Sequence, residues 1–403
     1  MCRLCSEQNW PPLTEKLVIL ATSGSISIYR VPDIIREIRR KGGDVKVGMS
    51  ESSVEMISPE LIKWASSNAP VTKITGFIEH ISLFTEPRDK ILLICPLTYD
   101  TAGKMASGIS DNIPSLFFSF AFGHGVPVLA APAMHLDMYR NKFMQENIKR
   151  LMDSGVEFIE PEEDPEKAKL SEKENIVDHV IRSFYHSTMG GKRVLIISGR
   201  TEDRIDPART VSNRSSGFTG YWLARNSFRL GSSDVTFVGN SPYPMPEYVR
   251  SDFCVETASF YSKVEAILRK EKFDLIIIPA AISDFSISFS EKKLDSDREH
   301  EIHLRPRKKL LDIIRKNSSA KLVAFRLSES PDDAMRHFSE SVPDMIVHNS
   351  ILEEPFGNGG AKYSVISGEK ITEISGASKE EVTFRLLLHI MGSLFALGKT
   401  NKQ

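Results

Sequence analysis

Hydrophobic positions along the chain follow two alternating periods. Short apolar, β-branched runs such as Leu17–Ala21 give way to stretches in which apolar residues recur every three or four positions, as at Val31, Ile34, Ile35 and Ile38. The first pattern predicts buried strands and the second amphipathic helices, with Gly42 and Gly43 stopping the first helix. Further strands are predicted at DVKVGM (44–49), KILLICP (90–96), VPVLAAP (126–132) and VEFIEP (156–161). The spans between them are long enough for crossover helices, which is the mark of a parallel sheet covered on both faces. The run ISLF (81–84) also reads as strand-like. A charged stretch, Glu160 to Asn175, leads into one more amphipathic helix, roughly Ile176 to Phe184, and then into a polar, Gly-containing segment, His186–Lys192, without core residues. There the pattern restarts. RVLIIS, SDVTFVG, DLIIIPAA, AKLVAFR and DMIVHN predict strands, and Tyr221–Leu230, Phe260–Lys270 and Asp332–Ser341 have helical periodicity. The expected architecture is α/β, with two doubly wound sheets in domains spanning 1–186 and 187–403.

Charge narrows the partners. Lys+Arg 52 against Asp+Glu 53 leaves a formal charge of -1, so no global basic field exists to hold nucleic acid or an anionic membrane. Small anionic ligands, bound locally, are the expected partners. No apolar run approaches the length of a membrane span, and Glu7, Gln8, Asn9, Pro11 and Pro12 interrupt any signal-peptide core, so a cytoplasmic location is expected. The cysteines, Cys2, Cys5, Cys95 and Cys254, are too sparse for a disulfide framework and point to a reducing compartment. Cys2 and Cys5 have the spacing of half a metal site, but no matching pair follows, and no metal site built from side chains is expected.

Both halves open with a strand that runs into a Gly- and Ser-containing turn, TSGSIS (22–27) and SGRTED (198–203), and neither turn has the dinucleotide or P-loop spacing. Ser23, Gly24, Ser25 and Ile26 follow a strand and precede a helix, so hydroxyls and N–H groups there can converge on a phosphate at the helix N-terminus. Thr98, Asp100 and Thr101 follow the third strand, and Asp111 and Asn112 bring polar groups to a Phe-rich stretch. Taken singly, each is explained as a helix cap, and His80, beside ISLF, as a structural histidine.

Their order changes this. GSISIYR, VGMSESS, EHISL, PLTYDTAGKMASGISDN and APAMHLDMY together resemble the homo-oligomeric flavin-containing cysteine decarboxylases over almost the whole first half. The resemblance implies a flavodoxin-like domain and an FMN site lined by Ser25, Ile26, Ser50 and Thr98, with Ser23, Gly24 and Asp100 in the same turns. It further implies that His80 is the active-site base and that Pro132, Ala133, Met134 and Met138 belong to the motif holding the substrate carboxylate. Three departures stand out: His135 and Asp100 occupy positions where the family has asparagine, and no cysteine lies between Cys95 and Cys254, where many members carry a proton-donating flap cysteine. The matching segment, Lys167-Ala168-Lys169-Leu170, offers lysines instead, with Lys167 and Lys169 as the candidate donors; by composition alone it reads as a solvated charged loop.

In the second half, SGRTEDRIDPARTVSNRSSGFTGYWLAR (198–225) resembles the phosphopantothenate-cysteine ligase signature. Physically it joins a strand-end turn to a glycine-permitted loop, in which Arg214, Ser215, Ser216, Gly217 and backbone donors can surround a phosphate. PAAISDFSI, SEKKLD, LVAFRLSES and DMIVHN follow in family order. By resemblance, Ala281 and Asp284 meet the nucleotide base and ribose, Phe325 packs on the nucleotide, Asn213 holds the acyl-nucleotide, and Lys293 or its neighbour Lys292 meets the triphosphate. The activity so implied is bifunctional and belongs to coenzyme A biosynthesis: CTP-dependent ligation of 4′-phosphopantothenate with cysteine, with Mg²⁺ carried by the phosphates, then FMN-dependent decarboxylation to 4′-phosphopantetheine by a homo-oligomer. Two other readings compete, a monofunctional ligase with a structural N-terminal half and a flavin-binding subunit that has lost catalysis.

Overall fold

The computed structural model describes residues 10–395 apart from 77, 337–341, 352–356 and 358. Cys2, Cys5 and the second half of the helical stretch predicted over Asp332–Ser341 lie outside the described residues; its first half is the helix Pro331–Arg336. The chain divides into two compact units between Tyr185 and His186.

In the first unit, strands β1 (Leu17–Thr22), β2 (Asp44–Met49), β3 (Lys90–Leu97), β4 (Val128–Pro132) and β5 (Glu157–Phe158) form a parallel sheet in the order β2-β1-β3-β4-β5. This is the flavodoxin-like order. Every residue of β1 and β4 is buried, as the continuous apolar runs require of strands covered on both faces. Helix α1 (Val31–Arg40) turns Ile34, Ile35 and Ile38 inward. Two expectations need correction. ISLF lies in helix α2 (Glu79–Thr85), because His80, Leu83 and Phe84 share one helical face and the last two are buried. The segment Lys167–Lys169 is not a solvated loop but a short strand, antiparallel to both Met134–His135 and Glu162–Glu163. Only Ala168 faces inward, at 1% exposure, so composition gave no hint of it. Helices α3 (Tyr99–Ser107) and α4 (Ile113–Gly123) follow β3.

The second unit holds an eight-stranded sheet of β6 (Arg193–Ser198), β7 (Asp234–Gly239), β8 (Arg250–Phe253), β9 (Leu275–Ile278), β10 (Lys321–Ser328), β11 (Met345–Ser350), β12 (Ala361–Ser367) and β13 (Lys370–Gly376). Its order is β8-β7-β6-β9-β10-β11-β12-β13. The first six strands are parallel in the Rossmann order, and the last two form an antiparallel hairpin the apolar pattern did not announce. Helices α5 (Phe218–Arg229), α6 (Thr257–Lys270), α7 (Leu310–Asn317) and α8 (Lys379–Leu394) cover it. No described helix is long and apolar enough to cross a membrane.

Candidate active sites

In open α/β sheets ligands bind beyond the carboxyl ends of the strands, where the strand order reverses. In the first unit that point lies between β1 and β3. The turn after β1 is tied to the ends of β3 and β4: Ser23 Oγ donates to the Pro96 carbonyl at 2.5 Å and accepts from the Thr98 N–H at 3.3 Å, and Ser25 Oγ donates to the Ala133 carbonyl at 3.3 Å. Ser53 Oγ donates to the Thr22 carbonyl at 2.8 Å, which holds the Ser50–Ser53 turn alongside. The result is a cavity of about 340 Å³ that brings together Ser23, Gly24, Ser25, Ser50, Thr98, Asp100, Ala133, Met134 and Met138. Ser52, Tyr99, Thr101 and Asn112, which sequence reasoning did not place in the site, line it too.

Helix N-termini at the cavity come from more than the turn after β1, whose Ser25 caps a 3-10 turn that runs directly into α1. Ile26–Arg30 is a five-residue 3-10 turn, whereas Thr98 caps α3 and Asn112 caps α4 through a capping box with Ser115. Ile26 is 81% exposed and does not line the cavity. The donors are neutral hydroxyls, an amide and helix N-termini, a set that fits a flavin phosphate and ring. Gly24 is required there, since a Cβ would lie 2.6 Å from Ser52 Cβ and Oγ.

Four other expected residues stand outside this lining. Pro132 is buried in β4. His135 is exposed, with Nδ1 3.8 Å from Asp137 Oδ2. His80 packs edge-on against Phe120, with centroids 4.4 Å apart, and its buried Nδ1 has no hydrogen-bond partner. Lys169 pairs with Asp164 at 2.5 Å, and that contact raises the lysine pKa and lowers that of Asp164 to about 2.

In the second unit a cavity of about 460 Å³ lies beyond the ends of β6, β9, β10 and β11. It gathers Asn213, Ser215, Ser216, Gly217, Ala281, Asp284 and Phe325. Asn213 Nδ2 donates to the Ala281 carbonyl at 3.2 Å, joining the Ser-rich loop to the loop after β9. Gly217, at φ 75, begins α5, and a Cβ on it would lie 2.6 Å from the Asn240 carbonyl oxygen. Phe325 meets the ring of buried Tyr363 edge-on at 5.5 Å. Lys292 and Lys293 are exposed and outside the lining. Their loop is pinned to the Ile205–Arg209 turn: Leu294 N–H donates to Asp206 Oδ2 at 3.0 Å, and Arg209 Nη1 donates to the Leu294 carbonyl at 3.1 Å. Asp206, 1% exposed, also accepts from the Ala208 and Arg209 N–H groups; the Leu294 contact leads in holding its carboxyl down at about 2.

Residues 8–185 match the Flavoprotein family, and residues 189–394 match the DNA/pantothenate metabolism flavoprotein C-terminal domain. A coenzyme A biosynthesis bifunctional protein CoaBC from Thermococcus kodakarensis is 33% identical over 385 residues, covering 93% of this chain and 94% of that protein. This chain belongs to the CoaBC family. CoaBC proteins of Methanocaldococcus jannaschii and Bacillus subtilis are 31% and 29% identical, over 93% and 94% of this chain and 93% and 97% of theirs. As a CoaBC family member it is a bifunctional enzyme of coenzyme A biosynthesis with a flavoprotein module at its N-terminal side. Within this CoaBC chain, sequence reasoning missed several residues of the second cavity, among them Lys309, Arg326, Asn349 and Tyr363. Arg326 and Asn349 stood inside motifs already picked out, but Tyr363 lies on the unannounced hairpin and carried no local signal.

Proposed function

We propose that the second cavity ligates 4′-phosphopantothenate to cysteine at the expense of CTP, and that the first decarboxylates 4′-phosphopantothenoylcysteine to 4′-phosphopantetheine with FMN. The observation that carries this reading is that most of each set of scattered motif residues lines a separate cavity at the carboxyl edge of its own sheet.

In the ligation, the phosphopantothenate carboxylate attacks the α-phosphorus of CTP and pyrophosphate leaves. The cysteine amine then takes the acyl group and CMP leaves. Asn213 steadies the acyl-nucleotide, Ala281 and Asp284 receive base and ribose, Phe325 packs against the nucleotide, and Ser215, Ser216 and Gly217 surround a phosphate beside the start of α5. Lys292 and Lys293, on their pinned loop, serve the pyrophosphate end. Mg²⁺ accompanies the nucleotide and is held mainly by its phosphate oxygens.

In the first cavity Ser23, Gly24, Ser25, Ser50, Thr98 and Asp100 would hold FMN, with Ile26 at its edge. When bound, FMN supplies reversible two-electron oxidation of the substrate, which makes loss of carbon dioxide feasible. His80 takes a proton at Nδ1. The Pro132–Met138 segment, His135 included, orients the substrate carboxylate. Lys169 Nζ donates the final proton from the short strand paired with that segment, and Asp164 keeps it charged until then. Exposed Ile26, Tyr29, Trp64 and Phe143 support self-association of the flavin domain. The near-neutral charge supports a cytoplasmic enzyme of small molecules without nucleic-acid or membrane partners.

The test supplies the purified full chain with 4′-phosphopantothenate, cysteine, Mg²⁺ and each nucleoside triphosphate in turn, and follows products by mass. Phosphopantothenoylcysteine with pyrophosphate, then phosphopantetheine with carbon dioxide, is the expected series. Ligation without decarboxylation in a flavin-loaded preparation would overturn the first half of the reading, and no ligation with any nucleotide the second.

A further inference from the structure

We infer that Arg326 is the arginine that grips a phosphate group inside the second cavity, an inference that rests on the ligase reading above. Strand β9 pairs with β10 only as far as Ala324, so Phe325, Arg326 and Leu327 run on past its end with β11 alone beside them. All three line the cavity. Arg326 therefore enters the cavity wall from the middle of a strand rather than from a surface loop.

Its guanidinium carries an unmet demand. Nε is buried without a hydrogen-bond partner, and among the described residues no carboxylate pairs with the group. The side chain as a whole is half-buried, and buried donors such as this Nε are nearly always satisfied. The free protein leaves this one to be satisfied by whatever fills the cavity. A guanidinium offers a planar fork of donors that matches phosphate oxygens two at a time and keeps its charge at any working pH. Arg214 and Lys309 line the same cavity and add further cations, whereas Lys292 and Lys293 lie outside it. The phosphate has two possible sources, the nucleotide or the phosphorylated carboxylic acid.

The experiment uses the full-length protein and its Arg326→Gln and Arg326→Lys variants, with binding of CTP and of 4′-phosphopantothenate each measured by calorimetry. Arg326→Gln is expected to weaken one of them by about ten- to a hundredfold, the loss usual for a charge-assisted hydrogen bond. Arg326→Lys should recover part of that loss, which a merely structural arginine would not predict. Loss confined to CTP assigns the nucleotide phosphates, and loss confined to phosphopantothenate assigns the substrate phosphate. Equal affinities for both ligands in all three proteins would overturn the inference while leaving the ligase reading intact. A wild-type chain that binds neither ligand overturns both. Should Arg326→Gln fail to fold, arginine-selective labelling of the wild type with phenylglyoxal, mapped by mass, decides the question: CTP or phosphopantothenate must shield Arg326, and undiminished labelling with both present refutes the assignment.

Discussion

Replacing Lys379 with methionine should stabilise the second unit at neutral pH and remove a rise in stability at alkaline pH. Lys379 begins α8, is 2% exposed, and its Nζ donates to the Tyr363 hydroxyl at 3.3 Å. Burial pulls its amine from an ordinary 10.5 down to about 8. Below pH 8 both folded and unfolded chains hold the proton, so the folded state bears the whole penalty of a buried charge. Between pH 8 and 10.5 the unfolded chain still holds a proton the folded chain has released, and stability rises with pH. The gap corresponds to about 3 kcal/mol at about 1.36 kcal/mol per pH unit. Buried Tyr363, pushed up to about 12, acts in the opposite direction once unfolded tyrosines ionise near pH 10, so the clean window is about pH 8 to 10. Across it the lysine should contribute about 2 kcal/mol. Denaturant midpoints of wild type and Lys379→Met at pH 7, 8, 9 and 10, followed by tryptophan fluorescence, give the difference directly. The methionine variant should be the more stable at pH 7, less about 1 kcal/mol for the lost bond to Tyr363, with wild type closing the gap by pH 10. A difference that stays constant from pH 7 to 10 would refute the reasoning.

Gly24→Ala sets a methyl group 2.6 Å from Ser52 in the wall of the first cavity and should leave the purified protein with at most about a tenth of its flavin, read from visible absorbance; a fully yellow variant counts against the site. Phe325→Ala removes an aromatic wall and its edge-on contact with Tyr363, so nucleotide Kd should rise about tenfold by calorimetry, and an unaltered Kd would remove Phe325 from the site. Asp206 is held at about 2, chiefly by the Leu294 N–H, so its contribution is present above the unfolded carboxyl value near 3.9 and is lost as pH falls through about 2. Acid unfolding by circular dichroism should therefore lose part of its pH dependence between about pH 4 and 2 in Asp206→Asn, and superimposable wild-type and variant curves would show that this carboxylate anchors nothing.

Strands buried on both faces were legible without a structure. Leu17–Ala21, Val194–Ile197 and Leu275–Ile278 are continuous apolar runs because strands between two helical layers bury both faces, and that constraint is written into neighbouring residues. The turns that follow them were legible too, since Gly24 and Gly217 answer to close approach and a positive φ. ISLF misled because a four-residue run with three apolar positions fits either period, and only the packing of Leu83 and Phe84 shows which face is inside. The Lys167–Lys169 strand and the β12–β13 hairpin depend on partners remote in sequence, Met134–His135 and β11, which local pattern cannot supply. Convergence at the sites is likewise tertiary. Ser23, Thr98 and Ala133 meet because strand order places β3 beside β1 and β4 next after it, whereas Lys293 stays outside the second cavity's lining on a loop that Leu294 ties to Asp206 and Arg209. Arg326 reaches the cavity because β9 ends one residue short of Phe325 in the shared register. Periodicity records which face of an element is buried; where one strand stops relative to the next is decided only when the sheet assembles.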